Sequence, residues 1–334
     1  MNVLSMCTGY GGLDLAFHGV FPQSSTVAYC EIESFACANL ISKMEKGLTD
    51  QVAPIWTDLT SFPYKLFEDR IDAVVAGFPC QPFSRVNTKK ETTDSNKHLF
   101  PNIMRGVLEM NCPSIVFFEN VTGILDYGWS KNGKPKGLAS DTQFEREGDT
   151  VLYYCLREME RAGYYVTAGV FNCEEVGAPM ARERVYLLGL HQEMPPEIFM
   201  KIKLSLQNQT YPTLEDIYNT LDMNDAVYLQ TEKQVEASES LPIFDFNGML
   251  GTFFDDTTLA TESSKPAFPS GKGEAQYSWE PSRWVWGNDE EAPGIKANYA
   301  DEMRILGNGV VPAQAHMALR VLLTSLLKNS EWSA

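Results

Sequence analysis

One cysteine of this chain stands in a stiff turn that follows a short apolar stretch. Residues 77–84 read GFPCQPFS, which places Cys80 between Pro79 and Pro82. A lone cysteine is more often a small buried hydrophobic residue than a reactive one. A packing cysteine does not need a turn stiffened by prolines, so we interpret Cys80 as a nucleophile. Its thiolate would be polarizable, and its pKa could be lowered by its surroundings.

A carboxyl group stands at the end of the next apolar stretch. Residues 115–121 read IVFFENV, so Glu119 directly follows two phenylalanines. Burial beside aromatic side chains disfavours a charged carboxylate, and we therefore expect the pKa of Glu119 to be raised. A protonated carboxyl group can donate to a ring nitrogen of a substrate. A helix N-cap and a structural salt bridge are the alternatives.

Two arginines stand two positions apart where a later apolar stretch begins. These are Arg182 and Arg184. Side chains two apart on a strand point to the same face of the sheet. Two guanidinium groups on one side suit a carbonyl oxygen together with a phosphate or a carboxylate. The alternative is a solvated strand edge.

A glycine-rich turn, TGYGG at residues 8–12, follows the first apolar stretch. Glycines there let the backbone turn tightly and approach a ligand closely. Glu31 follows the second predicted strand and could bind ribose hydroxyls, and Asp58 could form a third side of the same pocket. The alternative is a purely structural turn with a solvated Glu31. A phosphate-binding loop is disfavoured, because the chain has no G-x-x-x-x-G-K-[ST] motif.

The elements that must position these residues alternate over the first 190 residues. Strands separated by helical crossovers indicate βαβ units and a mostly parallel sheet. A continuous apolar run such as AVVA at 73–76 suits a sheet covered on both faces. The predicted strands are 3–7, 26–30, 71–76, 114–118, 164–171 and 185–190. The predicted helices are 13–18, 32–46, 102–110, 150–162 and 313–327.

The excess acidity of the chain is concentrated after residue 190. The whole chain carries 27 Lys and Arg against 44 Asp and Glu, a formal net charge of −17. Residues 191–290 are irregular in pattern and hold 17 acidic and 6 basic residues. This change of texture predicts a catalytic domain of residues 1–190 plus 296–334, interrupted by an inserted module at 191–295. We expect the C-terminal helix to pack back onto the catalytic part.

Cysteine and histidine usage argues against a disulfide framework and a metal site. The seven cysteines include no C-x-x-C pair, and the four histidines are scattered.

No apolar run reaches the roughly 18 residues that a membrane span needs, and the N-terminus lacks a basic segment followed by an apolar one. We therefore expect a cytoplasmic protein with free thiols, no metal and no membrane contact.

Taken together, these segments resemble the DNA (cytosine-5) methyltransferase family. The pairing of Pro-Cys-Gln with Glu-Asn-Val at this distance is highly specific, and the resemblance covers residues 1–190 and about 299–328. It implies a Rossmann-like S-adenosylmethionine-dependent fold, an α/β architecture whose mostly parallel sheet is flanked by helices, with a small irregular target-recognition domain. The matching segments are 9–12, Glu31, Asp58, 77–84, 119–121, 182–184 and 307–312.

The resemblance also implies which residues bind the cofactor and the substrate, double-stranded DNA. The cofactor residues would be Cys7, Thr8, Gly9, Tyr10, Gly11, Gly12, Glu31, Ile32, Asp58, Leu59, Pro79, Asn308 and Val310. The DNA-binding residues would be Gln81, Ser84, Arg85, Lys89, Lys90 and Arg283. We expect a monomer that acts in a bacterial cell or in a virus-infected bacterial cell. A restriction partner and the target sequence are not readable from the chain.

The implied reaction uses four side chains. Cys80 would add to position 6 of cytosine, Glu119 would donate to N3, and Arg184 together with Arg182 would hold O2 and orient Glu119. Because the base cannot be reached inside a duplex, it must be flipped out at a cost of roughly a few kcal/mol. Loop 85–99 would close over the flipped base. We expect a basic cleft formed by 85–97, 131–136 and the two arginines, since a whole-chain charge does not fix the sign of one cleft.

Several positions differ from the family pattern and leave alternatives open. Ser5 and Cys7 stand where the family has Asp and Phe, Ile32 replaces Trp, and Met180 replaces Gln. One alternative is a catalytically reduced DNA-binding or decoy homologue. Another keeps the mechanism but uses a modified sulfonium donor. RNA methylation is a third, although the Cys-Phe-Thr signature of the tRNA-modifying branch is absent from the sequence.

Overall fold

The computed structural model describes residues 1–79, 99–126, 150–178, 181–207, 284–286, 293–295 and 309–329. The strands are β1 (Asn2–Met6), β2 (Ser25–Cys30), β3 (Ile55–Trp56), β4 (Ala73–Ala76), β5 (Ile115–Val121), β6 (Tyr164–Asn172), β7 (Glu183–His191), β8 (Trp284–Trp286) and β9 (Pro293–Ile295). The helices are α1 (Gly12–Val20), α2 (Ser34–Glu45), α3 (Phe100–Glu109), α4 (Gly123–Asp126), α5 (Val151–Arg161), α6 (Pro196–Gln207) and α7 (Pro312–Asn329).

Seven of the strands described here form one sheet. Its order is β3-β2-β1-β4-β5-β7-β6. Strands β1 to β5 pair in parallel, whereas β7 runs antiparallel beside β5. The mostly parallel sheet and the Rossmann-like fold class predicted from the sequence are confirmed. The carboxyl ends of β1, β2, β4 and β5 therefore meet at one edge of the sheet, where ligands bind in open α/β sheets.

Both faces of the sheet are buried, which explains its nearly continuous apolar strands. On β4, Val74 and Ala76 belong to one core cluster, and Ala73 and Val75 belong to the other. The period of two in a strand sends alternate side chains to opposite faces. Helices α3 and α5 supply the first cluster, and α1, α6 and α7 supply the second.

The C-terminal helix α7 packs against the last strands of the sheet. The side chain of Gln314 is fully buried, and its Nε2 donates to the carbonyl oxygen of Phe171 at 2.7 Å. The hydroxyl of Tyr186 donates to Oε1 of the same glutamine at 3.3 Å. A buried amide is costly unless it is hydrogen-bonded, so these two bonds fix where α7 lies on the sheet.

The chain divides into two compact units. The first comprises Met1–Phe171, Glu183–Gln209 and Asn308–Ala334, and the second comprises Asn172–Arg182 and Thr210–Gly307. Helix α6 belongs to the first unit, and Nη1 of Arg320 donates to the carbonyl oxygen of Ser205 at its end, at 3.2 Å. In the second unit β8 pairs antiparallel with β9. Among the described helices, none is long and apolar enough to cross a membrane.

Candidate active site

The turn between β1 and α1 is shaped by its glycines and by the end of β2. Gly9 and Gly11 have φ values of 57° and 87°, in the left-handed region that glycine adopts without strain. The amide of Thr8 donates to the carbonyl oxygen of Cys30 at 3.2 Å. Oε2 of the buried Glu31 accepts from the amide of Gly9 at 2.6 Å. Glu31, which the sequence predicts to bind a ligand, thus also holds the glycine turn in place.

A small cleft opens beside this turn. It lies at the carboxyl ends of β1 and β4 and is completed by the segment that precedes α7. Its lining residues are Ser5, Met6, Cys7, Thr8, Gly9, Leu13, Asp14, Val75, Gly77, Gly309 and Val310. The structure therefore brings Cys7, Thr8, Gly9 and Val310 together at one cleft, and a shared ligand stays a prediction.

The floor of the cleft is polar and internally hydrogen-bonded. The hydroxyl of Ser5 donates to Oδ2 of Asp14 at 2.7 Å, and Thr26 donates to Oδ1 at 3.1 Å. The hydroxyl groups of Ser5 and Thr8 lie 3.0 Å apart. Burial raises the pKa of Asp14, while the nearby His18 and the two hydroxyl donors favour its charged form. The cleft thus holds a carboxyl group on α1 next to the position where Ser5 replaces the family's aspartate.

Cys7 lines the cleft but is not suited to be a nucleophile. Burial raises the pKa of its thiol well above the ordinary value, and the carboxylate of Glu31 raises it further. Burial likewise raises the pKa of Cys30 to about 12 and also raises the pKa of Cys37, Cys112 and Cys173. These five thiols stay protonated near neutral pH and are poor rivals to Cys80.

Glu119 and Arg184 form a buried ion pair near the end of β5. Nε of Arg184 lies 2.9 Å from Oε1 of Glu119, and the two side chains are 16% and 8% exposed. Nη1 of Arg184 also donates to the carbonyl oxygen of Glu183 at 2.8 Å. A guanidinium held in this way presents a carboxyl group in one fixed orientation.

The backbone that leads to Cys80 is held next to this ion pair. Nδ2 of Asn120 donates to the carbonyl oxygen of Phe78 at 3.1 Å. A Cβ atom on Gly77 would lie 3.5 Å from Oε2 of Glu119, so the start of the turn and the carboxyl group are neighbours. The asparagine of the Glu-Asn-Val motif therefore positions the chain two residues before Cys80.

Some predicted site residues lie outside the residues that the structure describes. These are Cys80, Gln81, Ser84, Arg85, Lys89, Lys90, Arg283 and Asn308. The basic segments 85–97 and 131–136 lie outside them too, so the predicted basic cleft stays a prediction.

The remaining predicted cofactor residues differ in how exposed they are. Ile32 is 77% exposed, Leu59 is buried, and Pro79 is partly buried. Asp58 caps a short 3₁₀ helix by accepting from the amide of Thr60 at 2.9 Å. Bonds from Thr60 hold the pKa of Asp58 below its usual range.

The two arginines fall in different units of the chain. Arg184 lies within β7 in the first unit, whereas Arg182 precedes that strand and belongs to the second. The amide of Arg182 donates to Oδ1 of Asn172 at 3.0 Å, and its carbonyl oxygen accepts from the amide of Cys173 at 3.1 Å. A common direction for both guanidinium groups stays a prediction.

Sequence reasoning missed two charged residues of this region, Asp14 and Lys43. Lys43 is buried, and its Nζ donates to the carbonyl oxygen of Tyr10 at 2.6 Å. A signal for it was present, because it falls in the apolar stripe of α2 with Ala36, Leu40 and Met44. Nothing in the sequence pattern marked Asp14, which stands in the first turn of α1.

In the parts of the chain that the structure describes, no group of three His, Cys, Asp or Glu side chains could hold a metal ion.

Known proteins with similar sequences include type II methyltransferases of Neisseria. The chain is 29% identical over 188 residues to the type II methyltransferase M.NlaX of Neisseria lactamica, covering 56% of this chain and 51% of that protein. It is 27% identical over 193 residues to the type II methyltransferase M.NgoFVII of Neisseria gonorrhoeae, covering 57% of this chain and 43% of that protein. The chain thus spans about half the length of these curated relatives. Among solved structures, the S. pombe Dnmt2 methyltransferase aligns over 98% of this chain and 99% of that one, at 16% identity and a TM-score of 0.49.

A family model for the C-5 cytosine-specific DNA methylase domain matches residues 1–243. This range contains the glycine turn, the cleft lining other than Gly309 and Val310, the Glu119–Arg184 pair and the Cys80 turn. Since the match spans well over half of the chain, this protein belongs to the C-5 cytosine-specific DNA methylase family.

Proposed function

We propose that this protein transfers a methyl group from S-adenosylmethionine to position 5 of cytosine in double-stranded DNA. The observation that carries the proposal is the buried ion pair between Glu119 and Arg184 at 2.9 Å. It lies beside Gly77 and Phe78, which lead directly to Cys80. A carboxyl group and the guanidinium that orients it thus lie next to the segment that leads to Cys80 in the sequence. Membership of the family supports the same chemistry.

The residues of the cleft fit S-adenosylmethionine. The cleft has glycine backbone on one side, where a Cβ on Gly9 would meet nothing within 4 Å. The amide of Gly9 donates to the carboxylate of Glu31, which follows β2. Gly9–Gly12, Glu31 and the exposed Ile32 and Asp58 would hold the cofactor, with Asn308 and Val310 closing the pocket. When bound, the cofactor supplies an electrophilic methyl group.

The protein's own residues make cytosine reactive enough to accept that group. Position 5 of cytosine is a weak nucleophile. Glu119 is ion-paired in the free protein, so it takes up a proton as the base enters the site. The thiolate of Cys80 then forms a bond to position 6, and this proton moves from Glu119 to N3 and relieves the negative charge that addition creates. Arg184 holds the carbonyl oxygen O2 and keeps Glu119 oriented, with Arg182 as a second donor. After methylation position 5 loses its proton to a solvent water, the bond between Cys80 and position 6 breaks with release of the Cys80 thiolate, and N3 returns its proton to Glu119.

Access to the base requires that the cytosine leave the helix. We propose that the base is flipped into the site, which costs roughly a few kcal/mol of stacking and pairing. Residues Gln81, Ser84, Arg85, Lys89 and Lys90 would contact the displaced DNA strands, together with Arg283. We assign target recognition to the part of the second unit that follows α6, Thr210–Gly307.

The proposed function is tested by incubating the protein with amplified, unmethylated duplex DNA and isotope-labelled S-adenosylmethionine. Nucleoside mass spectrometry should find labelled 5-methylcytosine with the wild type and none with Cys80→Ala. Parallel reactions with single-stranded DNA and RNA test the substrate class. Unmodified duplex DNA, despite a folded protein with bound cofactor, would refute the proposal, and a clear preference for RNA would refute the choice of substrate.

The lining of the cleft favours one second candidate, a modified sulfonium donor. Cys7 stands where the family has an aromatic residue, and Ser5, Thr8 and Asp14 make this wall polar. A donor whose transferable group carries a polar substituent would find hydrogen-bonding partners there. The same mass measurement separates the two donors, because a substituent heavier than one methyl on cytosine would support the second.

A further inference from the structure

Lys43 is a lysine buried inside the first unit. It is 7% exposed and lies on the side of α2 that also buries Leu40 and Met44. Burial lowers the pKa of Lys43 to about 8, and the carboxylate of Asp14 opposes that effect. A buried ammonium group is costly unless it has polar partners, so its contacts indicate why the lysine is there.

The partner of Lys43 is the tyrosine of the glycine turn. Nζ donates to the carbonyl oxygen of Tyr10 at 2.6 Å and lies 5.2 Å from the centre of its ring. The ammonium group therefore makes both a charge-assisted hydrogen bond and a cation–π contact with one residue. Together these contacts restrict the backbone and the ring of Tyr10.

The other end of Tyr10 reaches the segment just before α7. Its hydroxyl donates to the carbonyl oxygen of Val310. A Cβ atom on Gly12 would lie only 2.4 Å from this same oxygen, so the glycine turn and the segment 309–310 are in direct backbone contact. Gly309 and Val310 form part of the cleft lining, as Gly9 does. Two walls of the cleft, from distant parts of the chain, are therefore joined through Tyr10.

We propose that Tyr10 and Lys43 are positioning residues for the cofactor. Tyr10 ties the glycine turn to the segment 309–310, and Lys43 fixes the tyrosine in the orientation that makes this tie. The proposal rests on the function proposed above, in which this cleft binds S-adenosylmethionine. Loss of either residue weakens cofactor binding. Because Lys43 does not belong to the group around Cys80, its loss leaves the chemical step intact at saturating cofactor.

The test measures the Kd of S-adenosylmethionine by calorimetric titration of the full chain. Tyr10→Phe removes only the hydroxyl, Lys43→Met removes the charge, and Lys43→Arg keeps it. The matched control is Tyr164→Phe, which deletes another buried bond from a tyrosine hydroxyl, to the carbonyl oxygen of Pro113 at 2.6 Å, on the distant edge strand β6. A thermal unfolding curve for each variant establishes that it is folded.

We expect Tyr10→Phe to raise the Kd about tenfold, which corresponds to roughly 1.4 kcal/mol. Lys43→Met should raise the Kd at least tenfold, and Lys43→Arg should raise it less. In the double variant Tyr10→Phe/Lys43→Met, the Kd should be little higher than in the weaker-binding single variant, because the two residues act together. The kcat of Lys43→Met at saturating cofactor should stay within about twofold of the wild type. The Kd should be unchanged in Tyr164→Phe.

A Tyr10→Phe variant that binds as tightly as the wild type overturns the inference alone. The inference also fails if Tyr164→Phe weakens binding as much as Tyr10→Phe does, since the effect would then be general destabilisation. A wild-type protein that binds no S-adenosylmethionine overturns the proposed function and this inference together.

Discussion

Arg184 and Glu119 meet at 2.9 Å because β7 runs antiparallel beside β5. In the register of this pair, Val121 lies opposite Arg184 and Tyr186 lies opposite Glu119. The two charged residues are thus diagonal neighbours on the same face of the sheet, within reach of a long side chain. Strand β7 therefore brings an arginine from late in the first unit to the carboxyl group near the end of β5.

The first prediction concerns the geometry of this pair. Arg184→Lys keeps the positive charge but loses the planar fork that can orient Glu119 and reach a carbonyl oxygen at once. We expect kcat for methyl transfer to fall about 10²-fold, with the Kd of the cofactor unchanged. Single-turnover assays on duplex DNA measure the rate, and calorimetry measures the Kd. A kcat close to that of the wild type would show that Arg184 does not act on the base.

The second prediction concerns the proton on Glu119. Glu119→Gln keeps the shape of the side chain but has no acidic proton to give to N3. We expect methyl transfer to slow by about 10² to 10⁴-fold, the usual contribution of a general acid. Glu183→Gln is the matched control, because this exposed neighbour contributes only its carbonyl oxygen to Arg184. Equal activities in the two variants would remove Glu119 from the mechanism.

The third prediction compares two glycines at the cleft. A Cβ atom on Gly12 would lie 2.4 Å from the backbone oxygen of Val310, whereas on Gly77 its nearest neighbour would be 3.5 Å away. We expect Gly12→Ala to lower the free energy of unfolding by about 1–3 kcal/mol, as overpacking does. Gly77→Ala should have little effect on stability. Chemical denaturation of both variants measures the difference, and equal stability would contradict the close approach at Gly12.

The fourth prediction concerns pH and separates stability from cofactor affinity. The pKa of Lys43 is lowered from 10.5 to about 8 in the folded protein. Between these values the unfolded chain binds more protons, so this lysine makes the free energy of unfolding rise as the pH rises. Over the same range Lys43 loses the charge that it places over Tyr10, and cofactor affinity should fall.

Two variants isolate these opposite trends. In Lys43→Met the rise in the free energy of unfolding that Lys43 causes between pH 8 and 10.5 should be absent, because methionine does not titrate. Lys43→Arg should keep its affinity across the range, because the guanidinium group stays charged while Asp14 stays nearby as its counter-ion. Unfolding and titration experiments at pH 7.5 and 9.5 test both, and an affinity that falls equally in the wild type and in Lys43→Arg would contradict the role of the charge.

The sheet could be predicted from the sequence because its strands carry strong local signals. The buried run at 73–76 and the alternation of apolar stretches with amphipathic segments were enough to identify most strands and helices of the first unit. The position of β7 between β5 and β6 was not readable. Pairing between distant strands depends on how their buried faces pack together, and no local pattern encodes that order.

Some residues of the candidate site could likewise be predicted from the sequence, and others could not. Glu31, Glu119 and the glycine turn were identified because each stands at the end of an apolar strand. Asp14 and Lys43 were missed for a similar reason. An acid in the first turn of a helix normally faces solvent, and so does a lysine in the middle of a helix. Their roles come from tertiary contacts, with Ser5 and Thr26 for the first and Tyr10 for the second.

Covalent addition of Cys80 to cytosine is tested most directly with duplex DNA that contains 5-fluorocytosine in place of cytosine. After methylation position 5 then carries no proton to lose, so the bond from Cys80 to position 6 cannot break and the complex should persist under denaturing conditions. We predict a species with the mass of the protein, one DNA strand and one methyl group, linked through Cys80 and absent from Cys80→Ala. A protein that methylates ordinary duplex DNA but forms no such species, or forms it through another residue, would contradict the mechanism.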